Sequence, residues 1–218
     1  MFFFTACNNG TSTVTGTDTT ETSTTSTTKS DIMDKKMSMD DTMKMDNGLM
    51  SSMNNMMTKM DGMQMTGDFD TDFAAMMNEH HQGAIDMAQT EVSKGTDEKV
   101  KRMAQNIITK QTEEQGKLKD IVNSYKSKQP KPDSTHAEHR LHDVMINMMD
   151  KMKGTQMTGN TDKDFVMMMI PHHESAIEMS KSELTFGKNS QLKQMAQKGI
   201  ADQTKEINEF KSWTSSNK

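Results

Sequence analysis

When the chain is slid along itself by 92 positions (172 minus 80), two long stretches superpose without a gap. Asp72-Phe-Ala-Ala-Met-Met-Asn-Glu-His-His-Gln-Gly-Ala-Ile-Asp-Met-Ala88 falls on Asp164-Phe-Val-Met-Met-Met-Ile-Pro-His-His-Glu-Ser-Ala-Ile-Glu-Met-Ser180. The same register lays Met53-Asn-Asn-Met-Met-Thr-Lys-Met60 over Met145-Ile-Asn-Met-Met-Asp-Lys-Met152, and Gln111 and Glu114 over Gln203 and Glu206. The match runs from about Leu49 to Tyr125 and from Leu141 to Asn217. A duplicated chain folds as two copies of one unit, and a unit this short leaves an apolar face for its sister to cover.

Each copy reads as three helical segments. Met53, Met56, Met57 and Met60 mark one face of a short helix that stops near Asp61-Gly62. Thr66-Gly67-Asp68 then reads as a turn and N-cap. Phe69, Phe73, Met76, Met77, His80, Ala84, Met87 and Ala88 recur at three- and four-residue steps, a sustained helical stripe. That helix ends near Lys94-Gly95, where glycine suits a left-handed terminal residue. Thr96-Asp97 opens a third helix with Val100, Met103, Ile107, Gln111, Leu118 and Val122 on one face. The second copy places Phe210 and Trp213 where the first has Leu118 and Ile121. Two prolines break the linker between the copies. Alternating strand patterns are absent, so the expected fold is all-α: a four-helix bundle of two hairpin repeats, with a short Met-rich helix before each. The expected divisions are 1–7, 8–32, 33–67, 68–125, 126–135, 136–159 and 160–218.

Methionine supplies 27 of the 218 residues, so any core here is built largely from thioethers. The net charge of −5, with lysine and arginine scattered, argues against a nucleic-acid partner. One cysteine, Cys7, excludes a disulfide framework. Met1-Phe-Phe-Phe-Thr-Ala-Cys7 resembles the end of a lipoprotein signal, and residues 8–30 are a Thr/Ser-rich stretch that cannot pack. An envelope protein is expected, touching the membrane only through a lipid on Cys7.

The second helix of each copy is a ligand platform. Met76 and Met77 lie one turn before His80 and His81, and Met87 lies two turns beyond His80. Met168, Met169, His172, His173 and Met179 repeat the set. Thioether with imidazole is a soft to intermediate donor set, suited to Cu(I) and tolerable for Cu(II). Methionine more often fills core, but adjacent histidines kept in both copies argue for metal. Neighbours on a helix point about 100° apart, so only one of each pair can face a bundle axis squarely. Gln111 and Gln203, on the apolar stripe of the third helix, are expected either to orient an imidazole or to bridge helices. Pro171 stands where the first copy has Glu79, so the two sites are not equivalent. Met37 and Met39, Met43 and Met45, and Met63 and Met65 form Met-x-Met pairs in polar surroundings, read as exposed thioethers for Cu(I) or Ag(I). His136, His139 and His142 are spread around a helix and read as solvated surface.

The pattern Phe-x-x-Met-Met-x-x-His-His-x-x-Ala-Ile-x-Met, with Met-Ile-Pro-His-His in the second copy, resembles the bacterial domain of unknown function 305 family. The resemblance spans about Asp68 to Trp213. It implies a ferritin-like four-helix bundle in secreted or periplasmic proteins, some of them copper-binding, with His80, His81, His172 and His173 as signature positions. The functional expectation is copper sequestration or transfer, with a copper exporter or chaperone as partner. The alternatives are a metal oxidase acting on Cu(I) or Fe(II), and a helical interaction module without metal.

Overall fold

A computed structural model describes residues 48–125 and 135–217, giving backbone alone for residues 125 and 135–139. The Cys7 segment, the Thr/Ser stretch, Met37, Met39, Met43, Met45 and most of the linker lie outside the described residues. So do the side chains of His136 and His139.

The described residues form six α-helices and no strand: α1 (Leu49–Asp61), α2 (Phe69–Lys94), α3 (Glu98–Tyr125), α4 (Thr135–Lys153), α5 (Thr161–Phe186) and α6 (Ser190–Ser216). The fold is all-α, and each repeat contributes a short helix followed by a long hairpin. Within a repeat, α2 pairs with α3 and α5 with α6, while α1 lies on α2 and α4 lies on α5. The repeats meet where α2 packs on α5. These two helices therefore have neighbours on three sides, and buried residues run around most of their circumference. The core they centre is thioether-rich: Met53, Met56, Met60, Met87, Met148, Met152, Met168, Met169 and Met179 are all buried.

Both central helices start in the same way. Asp68 accepts from the Thr71 amide and Asn160 from the Lys163 amide, satisfying open N-terminal donors. One turn in, Asp72 accepts from the Thr66 and Gly67 amides, and Asp164 repeats this with Thr158 and Gly159. Gly67 and Gly159 sit at φ of 80° and 79°, a left-handed conformation that makes glycine the natural choice.

Crossed carboxylates fasten the repeats together. Asp162 at the start of α5 accepts from the Thr96 and Asp97 amides at 2.9 and 2.8 Å, and Asp70 at the start of α2 accepts from the Lys188 and Asn189 amides, both at 2.8 Å. Each aspartate thus holds the hairpin turn of the other repeat. Beside each lies a fully buried glutamate, Glu91 by Asp162 and Glu183 by Asp70. Burial, with Asp162 adjoining, pushes the Glu91 carboxyl up to about 8. Burial and the Asp70 charge push Glu183 up to about 9. No donor reaches either glutamate, so both are neutral acids at pH 7, each supplying a proton toward its aspartate. On the outside, Trp213 Nε1 donates to Asp97 Oδ2 at 2.9 Å, a third link between repeats.

The structure corrects the expectation for Gly95. Its φ is −66° and that of Gly187 is −63°, so neither is left-handed. Glycine stands there for space. A Cβ at either position would overlap the buried carboxyl of Glu91 or Glu183.

Candidate metal centre

Because α2 and α5 are covered on several sides, both histidines of each pair are buried, although they point in different directions. His80 and His172 face each other across the repeat junction, with ring centroids 3.7 Å apart and planes tilted by 42°. His81 and His173 turn instead toward the third helix of their own repeat. His81 Nε2 is 2.9 Å from Glu114 Oε2 on α3, and His173 Nε2 is 2.8 Å from Glu206 Oε2 on α6. The order across the interior is His81, His80, His172, His173, with neighbouring rings within a pair 6.5 and 6.2 Å apart.

The electrostatics keep the inner pair in the form that a metal binds. Burial, reinforced by the surrounding imidazoles, holds His80 and His172 well below the usual histidine range, so both are neutral at pH 7. Burial alone would raise the Glu206 carboxyl, but the His173 imidazole and the Lys110 ammonium, 2.7 Å away, lower it to about 2. A carboxylate only accepts, so His173 donates from Nε2 and its Nδ1 is the ring nitrogen left without a partner. Outer carboxylates orient metal-binding histidines in this way.

The outstanding feature is unmet hydrogen bonding. Nδ1 of all four histidines and Nε2 of His172 are buried without a partner, five of eight imidazole nitrogens. A buried polar atom left unsatisfied costs roughly 1–3 kcal/mol, so such a cluster calls for a ligand. His80 Nε2 alone of the inner nitrogens is satisfied, by Ser175 Oγ at 2.7 Å. Ser175 Oγ also lies 2.9 Å from Met148 Sδ and 2.6 Å from the His172 carbonyl. The repeat equivalent of Ser175 is Gly83, and the Met56 side chain occupies the space that a Cβ on Gly83 would need. His172 therefore has no hydroxyl to match the one on His80, and the thioether of Met56 occupies the equivalent position. The donor chemistry present, neutral imidazole with thioether, fits a soft or intermediate ion. Among the described residues no three His, Cys, Asp or Glu side chains converge on one point, and methionine sulfur is the further donor that this core holds in abundance.

A family profile described as a domain of unknown function, DUF305, matches residues 9–122 and 70–214. The chain belongs to the DUF305 family. Among solved structures, CopM in its Cu(I)-bound form is 27% identical, aligns over 67% of this chain and 96% of its own, and has a TM-score of 0.52. CopM in its Cu(II)-bound form is 28% identical over 72% of this chain and 100% of its own, with a TM-score of 0.53. A DUF305 protein of Streptomyces coelicolor is 19% identical over 67% and 91%, with a TM-score of 0.53. No curated protein sequence matches the chain.

Of the residues that the DUF305 signature singles out, the structure brings together His80 and His172, with His81 and His173 flanking them. Met76, Met77, Met87, Met168, Met169 and Met179 are all buried in the surrounding core. Met77 and His81 line a cavity of about 20 Å³, room for one water, with Glu114, Met195 and Gln203. Met63 and Met65 are not free thioethers: both are half-buried against the core, since the turn after α1 folds back over it. The glutamines are a second correction. Glu114 and Glu206, one turn after Gln111 and Gln203, reach the imidazoles, while the side-chain oxygens of Gln111 and Gln203 are buried without a partner. Sequence reasoning placed Met56 and Met148 in a core face and missed their approach to the centre. The available signal was the superposition of Gly83 on Ser175, a small residue opposite each short helix.

Proposed function

We propose that this DUF305 protein binds copper, chiefly as Cu(I), at the junction of its two repeats, and sequesters it or hands it on in the cell envelope. The observation that carries the reading is the set of buried, unpartnered imidazole nitrogens, with His80 and His172 held neutral, inside a thioether-rich core. In this reading His172 and His80 are the principal nitrogen donors. Met148, whose Sδ lies 2.9 Å from the Ser175 Oγ that meets His80, and Met56, packed against Gly83, are sulfur donors, and Met76, Met77, Met87, Met168, Met169 and Met179 are the reserve around them. His81 and His173, oriented by Glu114 and Glu206, flank this centre with Nδ1 available. The Cu- and Ag-bound states of CopM, 27–28% identical over 67–72% of this chain, support a soft-metal role. Met37, Met39, Met43 and Met45, outside the described residues, add thioethers for capture. No helix among the described residues is long and apolar enough to cross a membrane, and an acylated Cys7 would anchor the chain instead.

Anaerobic Cu(I) titration against a competing chelator tests this directly. His80→Gln with His172→Gln should lower affinity by more than the roughly 10–100-fold that follows loss of an outer partner. Unchanged affinity and stoichiometry in a variant with native circular dichroism would overturn the centre. Turnover of O₂ on addition of Cu(I) or Fe(II) would favour the oxidase instead.

A further inference from the structure

A second concentration of soft donors lies at the surface, apart from the histidine centre. The short helices α1 and α4 flank a cavity of about 300 Å³ that reaches down to α2. Its walls include the thioethers of Met57, Met60, Met76, Met145 and Met149, and the imidazole of His142. Met57 and Met149 are repeat equivalents (149 minus 57 is 92) and both are half-buried, while His142 is exposed. Met60, Met76 and Met145 form the floor and belong to the buried core. A surface cleft that only needed an apolar lining could use leucine. Flexible sulfur on three helices beside an imidazole is a donor set for a soft cation.

The floor of this cleft also leads inward by helix register. Met60 lies four residues from Met56, Met145 three from Met148, and Met76 four from His80. Each step is about one helical turn on one face, roughly 5 Å along the axis. The far end of every step is a residue of the buried centre.

We propose that this cleft is a distinct outer site for one monovalent soft cation, Cu(I) or Ag(I), held by Met57, Met149 and His142, and that it loads the buried centre through Met60, Met76 and Met145. The loading role rests on the copper-binding function proposed above, whereas the outer site itself does not. Passage is ligand exchange at constant oxidation state: one thioether replaces another, and no electron or proton is transferred.

The test uses the full chain labelled with methyl-¹³C methionine and titrated with Ag(I), which avoids copper redox chemistry. Two variants are compared with it: Met57→Leu/His142→Ala/Met149→Leu, and His80→Gln/His172→Gln. Equilibrium dialysis should show the cleft variant binding one Ag(I) fewer than wild type, with unchanged circular dichroism. Its Met56 and Met148 methyl signals should still shift at saturation, but at least about tenfold more slowly after mixing. In the histidine variant the Met57 and Met149 methyls should still shift at the first equivalent. The cleft proposal is overturned if the cleft variant keeps wild-type stoichiometry and loading rate, or if the Met57 and Met149 methyls never move. If those methyls respond while Met56 and Met148 do not, the outer site stands and the buried centre falls.

Discussion

Ser175 and Gly83 occupy equivalent places in the two repeats, and a hydroxymethyl group separates them. The hydroxyl satisfies His80, and its absence leaves room for Met56 beside the other half of the centre. Replacing Gly83 by alanine separates two effects of opposite sign. Alanine gains about 0.5–1 kcal/mol inside a helix, but pushing aside the Met56 side chain costs about 1–3 kcal/mol. The overpacking term wins, so Gly83→Ala should lower the denaturation midpoint and weaken Cu(I) binding about tenfold or more. Gly116→Ala is the control, because a Cβ there meets nothing within 4 Å. It should stabilise by about 0.5–1 kcal/mol and leave copper affinity alone. A Gly83→Ala that stabilises as Gly116→Ala does would show that Met56 can yield its place freely. The histidines were legible because each is a rare residue repeated at a fixed interval. The partners that orient them were less so, since Gln111 and Glu114 sit one turn apart and periodicity cannot tell which one reaches across to the neighbouring helix.

At the scale of the helical elements, the hairpin turns hold the property that helix periodicity could not reveal. Gly95 after Lys94 reads as a terminal glycine in sequence, yet its requirement comes from a carboxyl group, Glu91, folded over it. Only the pairing of α2 with the start of α5 explains why that carboxyl is buried. Glu91 and Glu183 are raised from 4.5 to about 8 and about 9 in the folded chain. Between those values the unfolded chain has released both protons and the folded chain has not, so stability falls as pH rises from about 5 to 9. His80 and His172 act in the opposite sense at lower pH. Their folded values are depressed, so stability is lost as pH falls below about 6.5, where the unfolded imidazoles take up protons. The wild-type melting temperature should therefore be highest between about pH 5 and 6.5 and fall on either side. Glu91→Gln/Glu183→Gln keeps a donor toward each aspartate and removes the titration. It should melt several degrees above wild type at pH 9, since about 1 kcal/mol is worth ~2–4 °C at this size, and approach wild type at pH 5. Equal melting temperatures at pH 9 would mean that the glutamates are ionised in the folded chain.

For the molecule as a whole, duplication decides where the proposed metal site lies. In that proposal one repeat offers one inner histidine and one thioether, half of a coordination sphere, and the α2–α5 packing brings up the other half. The doubling could be seen from the 92-residue shift, and the three helices of each copy from their apolar periodicity. The crossed assembly could not, because Asp70 with Lys188 and Asp162 with Thr96 are contacts between residues far apart in sequence. A ligand that joins the repeats binds only when they are docked, so it stabilises the folded chain by mass action. At a free concentration about 1,000 times Kd the gain is about 4 kcal/mol, or roughly 8–16 °C for a chain of this size. Ag(I) at that excess should raise the melting temperature of the wild type by this amount in one cooperative transition. His80→Gln/His172→Gln and Met57→Leu/His142→Ala/Met149→Leu should each lose part of the shift, because the cleft cation joins the repeats as well, with Met57 from the first and His142 and Met149 from the second. A biphasic melt in which one repeat is stabilised alone would place the ion within a repeat and not at their junction.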